Sequence, residues 1–231
     1  MIILGLDALD FGMVKKLNCK TLMQAEYGKT DIGGFALERT VVLWASFLTG
    51  TNMENEIPVK GQWEFRLPVA KTFFKFFGSV KAIDVPAFTL KLENHKKEHE
   101  LLAGFFKDKN TIEEFDDAVW KNHEENKSEF LDAAGKADIV MGYFDLADAV
   151  GHLSFGDEEK MRRVYEELES LAAETKELSD ENLFVVSDHG MKAVGRFGDH
   201  TKNGFYSFSE RLNLRTPKIT DFFDIIRGCA K

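Results

Sequence analysis

The stretch NLFVVSDHGM, Asn182 to Met191, places an aspartate and a histidine directly after a short apolar run. Such a run, rich in β-branched and aromatic residues and closed by a turn signal, reads as a strand buried on both faces. Three further runs read the same way: IILGL (Ile2 to Leu6), VKAIDV (Val80 to Val85) and ADIVMGYF (Ala137 to Phe144). Helical patterns separate them. Thr111 opens one with Thr-Ile-Glu-Glu, a capping box, and Gly135 is placed to end it. Another runs from about Asp157 to Leu178, with Met161, Val164, Leu168, Leu171, Thr175 and Leu178 on one stripe. Strand alternating with helix predicts an α/β fold, a largely parallel central sheet with helices on both faces.

The 231 residues suit a single domain, 1–231, with no repeat and no Pro/Ser-rich linker. A net charge of −9 argues against an extended nucleic-acid surface, which needs a basic patch. It leaves room for a small phosphorylated substrate held by metal ions. No apolar segment is long enough to span a bilayer, so no membrane contact is expected. The N-terminus enters an apolar run without a basic region and reads as the first strand rather than a signal peptide. Cys19 and Cys229 lack metal-site spacing and fit free thiols in a reducing, cytoplasmic compartment. The 21 phenylalanines, clustered in stretches such as KTFFKFF (Lys71 to Phe77), read mainly as core.

Three of the four strands run into acidic residues: Asp7, then Asp145 and Asp148, then Asp188. Ligands of open parallel sheets bind outside the carboxyl ends of the strands. Carboxylates gathered there repel one another unless protonated or neutralised by a cation. His152 follows Asp148 by four residues, His189 adjoins Asp188, and His200 lies in the Gly-rich stretch GRFGDHTKNGFY, too punctuated for a regular helix. Oxygen and imidazole ligands without thiolate suit Zn²⁺ or Mn²⁺. Three carboxylates and three imidazoles are too many for one tetrahedral ion and about right for two.

The ordered set GLDALD, TVVLWASFLTG, DLADAVGH, VVSDHGM and a late histidine resembles the alkaline phosphatase superfamily, and within it the type I phosphodiesterase/nucleotide pyrophosphatase branch, here as a short variant. Thr40 precedes Gly50 by ten residues, the relation that branch gives its nucleophilic threonine. The resemblance implies an alkaline-phosphatase-like fold and two divalent metal ions. Asp148, His152 and His200 would hold one; Asp7, Thr40, Asp188 and His189 would hold the other. It further implies double displacement through a phosphothreonine on Thr40. Ser46 and Thr49 are alternative hydroxyls, but only Thr40 stands at the N-terminus of a helix read over VVLWASFL.

The chain departs from the branch at Val42, where the branch has proline, and after Gly50, where a proline and a His-Gly pair are missing. Asn52, Lys60 and Gln62 are the candidates for the phosphate donor this removes. A small substrate-selecting cap is expected between about Asn52 and Gly135. These readings predict a hydrolase of phosphodiester or pyrophosphate bonds. Phosphomonoester or phosphonate hydrolysis is the alternative within the superfamily, and a non-catalytic metal- and phospho-ligand-binding relative the alternative outside enzymes. His95-Lys-Lys-Glu-His99 also matches a zinc-peptidase pattern, but Phe88, Leu92, His95, His99, Leu102 and Phe106 form one helical stripe, the simpler reading.

Overall fold

The computed structural model describes residues 1–178 and 182–230. Its first strand, β1 (Ile2–Leu6), is buried along its whole length, as an unbroken apolar run requires. Helix α1 (Phe11–Lys16) follows, capped by Asp10, whose Oδ1 accepts the Met13 amide at 2.9 Å. Strand β2 (Glu26–Lys29) and helix α2 (Thr40–Thr49) come next. Strand β3 (Val80–Ile83) precedes α3 (Leu92–Phe105) and α4 (Ile112–Ala133), whose capping box on Thr111 and Glu114 forms in both directions. Such a cap stabilises a helix by about 1 kcal/mol. Beyond β4 (Ile139–Phe144) lie α5 (Leu146–Ser154) and α6 (Glu158–Leu178). The chain finishes with β5 (Leu183–Val186), β6 (Gly190–Val194), β7 (Phe197–Thr201), β8 (Phe205–Phe208) and α7 (Phe222–Gly228).

Six strands form one sheet in the order β2-β8-β5-β1-β4-β3. The four strands expected from sequence are its parallel part: β1 pairs with β4 and β5, and β3 with β4. Strands β8 and β2 extend it antiparallel and were not expected. β2 is a polar edge, half-buried and exposed by turns, and β8 lies in the Gly-rich stretch that masked its pattern. The same stretch holds β7, which pairs with β6 as a separate two-stranded ribbon. One core, with Val119, Phe130, Leu153, Val164 and Leu168, lies between one sheet face and α4, α5 and α6. The other, with Trp44, Phe47, Phe73, Phe74 and Phe222, lies under α2 and α7 on the opposite face. The phenylalanines Phe73 and Phe74 are fully buried there, whereas Phe76 is partly exposed. Within the expected cap segment, β3 joins the main sheet and α4 covers it. Among the described residues no helix is long and apolar enough to cross a membrane.

Candidate metal centre

The parallel strands deliver their acidic residues to one edge of the sheet. Asp7 follows β1, and the chain then turns sharply at Ala8 with φ +54, a conformation unfavourable for a side chain bearing Cβ. Asp188 and His189 follow β5. All three are buried to 1% exposure or less. Asp148 and His152 occupy successive turns of α5, so the i, i+4 spacing puts them on one face. His200 comes from β7. The ribbon reaches α5 because Gly151 and Gly198 face each other across Met191: a Cβ on either would collide with the Met191 sulfur. Gly190 serves a close approach as well, since a Cβ there would stand 2.6 Å from the Asn203 carbonyl oxygen. That accounts for the glycine after Asp-His better than a turn does.

Two ligand sets result, and they share a residue. Asp7, Asp188 and His189 place ligand atoms within 4.8 Å of one another, and so do Asp148, His189 and His200. His189 Nε2 is 3.3 Å from Asp7 Oδ1 and 3.6 Å from Asp188 Oδ2. His200 Nε2 is 3.2 Å from Asp148 Oδ1 and 3.3 Å from His152 Nε2, which is itself 3.3 Å from Asp148 Oδ2. The His189 and His200 rings stack with centroids 3.9 Å apart, joining the sets.

Hydrogen bonding tests whether this geometry fits a cation. His189 Nδ1 lies 3.2 Å from the Gly190 carbonyl, which holds the proton on Nδ1 and leaves Nε2 as a bare lone pair. That lone pair then faces carboxylate oxygens. His189 Nε2, Asp7 Oδ1 and both oxygens of Asp188 are buried without a hydrogen-bond partner. Leaving so many acceptors unpaired is costly unless a cation takes their lone pairs. The donor set of carboxylates and imidazoles fits a divalent ion with borderline ligand preference.

The protonation pattern agrees. Burial pushes Asp7 up, with Asp148 adding to the shift, and burial pushes Asp188 well above the carboxylate range. Burial would also raise Asp148, but the charge of His152 and hydrogen bonding hold it well below. Asp148 in turn pushes His152 up to about 9. Burial lowers His189. Raised carboxylates of this kind mark buried negative charge crowded together, which a bound cation would relieve.

Beside this centre is a cavity of about 230 Å³ lined by Thr40, Asp148, His152 and His200. Thr40 is the first residue of α2, capped by Arg39 without a side-chain bond, so free backbone N–H groups face the cavity end of the helix. Ser46 and Thr49 point their hydroxyls back into α2, to Val42 O at 2.7 Å and Ala45 O at 2.8 Å. Gln62 lines the cavity and accepts from Arg39 Nε at 3.0 Å. Asn52 is exposed, bonded to Gly34 O and the Glu54 amide, and Lys60 is exposed; neither lines the cavity. His95 and His99 line it with Trp63, whose ring centroid is 3.6 Å from that of His95. The helical stripe read from sequence therefore faces the cavity at these positions, and Phe106, at its end, is 61% exposed. Among the cavity residues outside the sequence-derived site are Tyr143, Glu98 and Asp145. Asp145 carried a sequence signal as a strand-end carboxylate and Glu98 as part of the His95-to-His99 pattern; Tyr143 carried none.

The family model for type I phosphodiesterase / nucleotide pyrophosphatase matches residues 46–206, more than half of the chain. That span contains Asp148, His152, Asp188, His189 and His200, and begins after Asp7 and Thr40. No curated protein matches. Among solved structures, a putative sulfatase from Bacteroides thetaiotaomicron is similar with TM-score 0.59 and 9% identity, covering 99% of this chain and 70% of that one. An inactive murine ectonucleotide pyrophosphatase / phosphodiesterase 5 in complex with AMP gives TM-score 0.51 and 14% identity. There 85% of this chain and 58% of that chain are covered, so the chain spans less than two thirds of that relative. These likenesses establish a shared fold. The chain belongs to the type I phosphodiesterase / nucleotide pyrophosphatase family of the alkaline phosphatase superfamily, a family of phosphoester hydrolases.

Proposed function

We propose that the protein is a two-metal phosphohydrolase that cleaves a phosphodiester or pyrophosphate bond of a small substrate through a phosphothreonine on Thr40. The observation that carries this reading is the set of unpartnered, buried carboxylate and imidazole atoms beside a cavity that Thr40 opens into. Asp148, His152 and His200 would hold one ion, and Asp7, Asp188 and His189 the other together with Thr40, with His189 within reach of both sets. Zn²⁺ or Mn²⁺ suits these donors, and when bound would neutralise the carboxylates and supply electrophilic stabilisation to the phosphoryl group. The Thr40 hydroxyl is the nucleophile, and the N-terminus of α2 orients the phosphoryl oxygens.

Arg39 supports diesters over monoester dianions. Its guanidinium is committed to Gln62 Oε1, Ile57 O and Pro58 O, so it is not free to take the extra negative charge of a monoester. Two unpaired cysteines, Cys19 buried and Cys229 exposed, support a reducing, cytoplasmic setting.

Incubating the protein with Zn²⁺ or Mn²⁺ and bis(4-nitrophenyl) phosphate tests the reading. Turnover abolished by Thr40→Ala, and weaker on 4-nitrophenyl phosphate, is the expected result. Tight metal binding without turnover would indicate a binding protein instead. Peptidase activity lost on His95→Ala and kept on Thr40→Ala would favour the zinc-peptidase alternative.

A further inference from the structure

The segment that leads into Thr40, residues 31–39, is tied to the strand of His200 by one side chain. Lys202 stands just past the end of β7, two residues after His200. Its ammonium donates to the Phe35 carbonyl at 2.7 Å, to the Ala36 carbonyl at 3.2 Å and to Glu38 Oε1 at 2.9 Å. An ammonium has three donors, so all of them are spent on this one segment. The Lys202 main chain adds a further tie, its carbonyl accepting the Ile32 amide at 3.1 Å. Glu54 takes the amides of the same stretch, Ala36 at 3.0 Å and Leu37 at 3.3 Å. Carbonyls are thus bonded to Lys202 and amides to Glu54.

Global stability does not account for this arrangement. The Lys202 and Glu38 side chains are 45% and 21% exposed, and an ion pair so open to water contributes little to the fold. The consequence is local. Helix α2 is buried from Val41 to Leu48, so the core fixes its body. Thr40, its first residue, and Arg39, its cap, are only half-buried, and the segment before them holds Gly33 and Gly34, both exposed. Two glycines leave that backbone many conformations unless something pins it. The Arg39 amide bonds the Leu37 carbonyl at 3.0 Å, and the Arg39 carbonyl accepts the Leu43 amide at 2.9 Å. The placement of residues 35–38 therefore passes directly to the first turn of α2.

We infer that Lys202 is a positioning residue that sets the Thr40 hydroxyl in register with His200. The inference rests on the phosphohydrolase reading above. Thr40 and His200 line one cavity but come from different elements, the first turn of α2 and the β6–β7 ribbon. Lys202 joins the two through the Phe35 and Ala36 carbonyls and Glu38, which lines the same cavity. A charge pair alone would explain the bond to Glu38. It would not explain the two carbonyls, which hold the backbone rather than a charge. In-line attack demands an aligned nucleophile, and a displacement of about 1 Å costs about 100-fold in rate.

The test compares the metal-loaded wild-type protein with Lys202→Met, which keeps the aliphatic stem, and Lys202→Arg, which keeps charge and donors. With bis(4-nitrophenyl) phosphate, kcat of Lys202→Met is expected to fall about 10- to 100-fold with little change in KM, and Lys202→Arg to recover most of it. Affinity for Zn²⁺ by isothermal titration should match the wild type, because His200 keeps its place in the ribbon. A wild-type kcat, or a loss that tracks a loss of Zn²⁺ affinity, overturns the positioning role. Adding Glu38→Gln to Lys202→Met separates position from charge. The double variant should stay slow, and recovery would trace the loss to the freed carboxylate and overturn the role. Hydrogen exchange reads the clamp without turnover: amides of residues 32–40 should exchange faster in Lys202→Met while those of β1 and β5 do not. Unchanged exchange overturns the clamp. Faster exchange in a protein whose wild type cleaves no activated diester overturns the phosphohydrolase reading, and with it the register role but not the clamp.

Discussion

The Tyr143 hydroxyl donates a 2.6 Å hydrogen bond to Asp7 Oδ2 across the neighbouring strands β4 and β1. It occupies one oxygen of a buried carboxylate and leaves Oδ1 turned to His189. Partners of this kind orient a ligand and tune its basicity. Tyr143 itself is locked edge-on against Trp44, with ring centroids 5.5 Å apart. Tyr143→Phe keeps that packing and removes the bond. We expect metal affinity at the Asp7 set to fall roughly 10- to 100-fold, with an unchanged circular dichroism spectrum. Isothermal titration with Zn²⁺ or Mn²⁺ measures it, and unchanged affinity would refute the positioning role.

Metal should stabilise the fold. An ion at about a hundredfold its Kd adds about 2.7 kcal/mol to the native state, roughly 5–10 °C in Tm for a chain of this size. The chelator-treated protein is therefore expected to melt lower and to regain its Tm on adding Zn²⁺ or Mn²⁺. Asp188→Asn should shrink that gain, because it replaces one of the two unpartnered oxygens of Asp188 with an amide NH₂ and removes the negative charge. Scanning calorimetry with and without metal decides it.

Ribbon and helix must approach closely for His200 to meet His152. Gly198→Val would drive a side chain into Met191, costing on the order of 1–3 kcal/mol as overpacking does. The expected signature is a lower Tm together with loss of metal affinity, whereas Lys192→Ala, on the exposed part of the same ribbon, should change neither.

Glu98 also makes stability depend on pH. Its carboxyl lies at about 7 in the folded chain against an ordinary 4.5, so the folded state binds the proton more tightly. The resulting stabilisation is complete below pH 4.5 and is lost as pH rises through about 7. Relative to Glu98→Gln, the wild type should lose on the order of 3 kcal/mol across that window. Urea titrations of both proteins from pH 4 to 8 give the difference, and parallel curves would contradict it.

Much of the fold was legible before any coordinates. The apolar runs at Ile2, Ile139 and Leu183 are buried strands because each offers water no polar side, whereas the run at Val80, expected to be buried on both faces, keeps Lys81 exposed. The Thr111 capping box and the stripe on α6 depend on residues within one or two turns, so local spacing suffices to read them. The carboxylates at the strand ends followed from topology, since parallel strands must all end at one edge. Strands β2 and β8 were missed because an edge strand need not be apolar, and a Gly-rich stretch loses its alternation.

The amino-acid order thus decided which elements form and which end of the sheet collects Asp7, Asp148 and Asp188. It could not decide which groups touch. His189 serving both ligand sets and Tyr143 steering Asp7 join residues from 1 to 182 positions apart. Patterning records whether a side chain faces core or water. The partner it meets there is set only when the sheet, the ribbon and α3 close on one another.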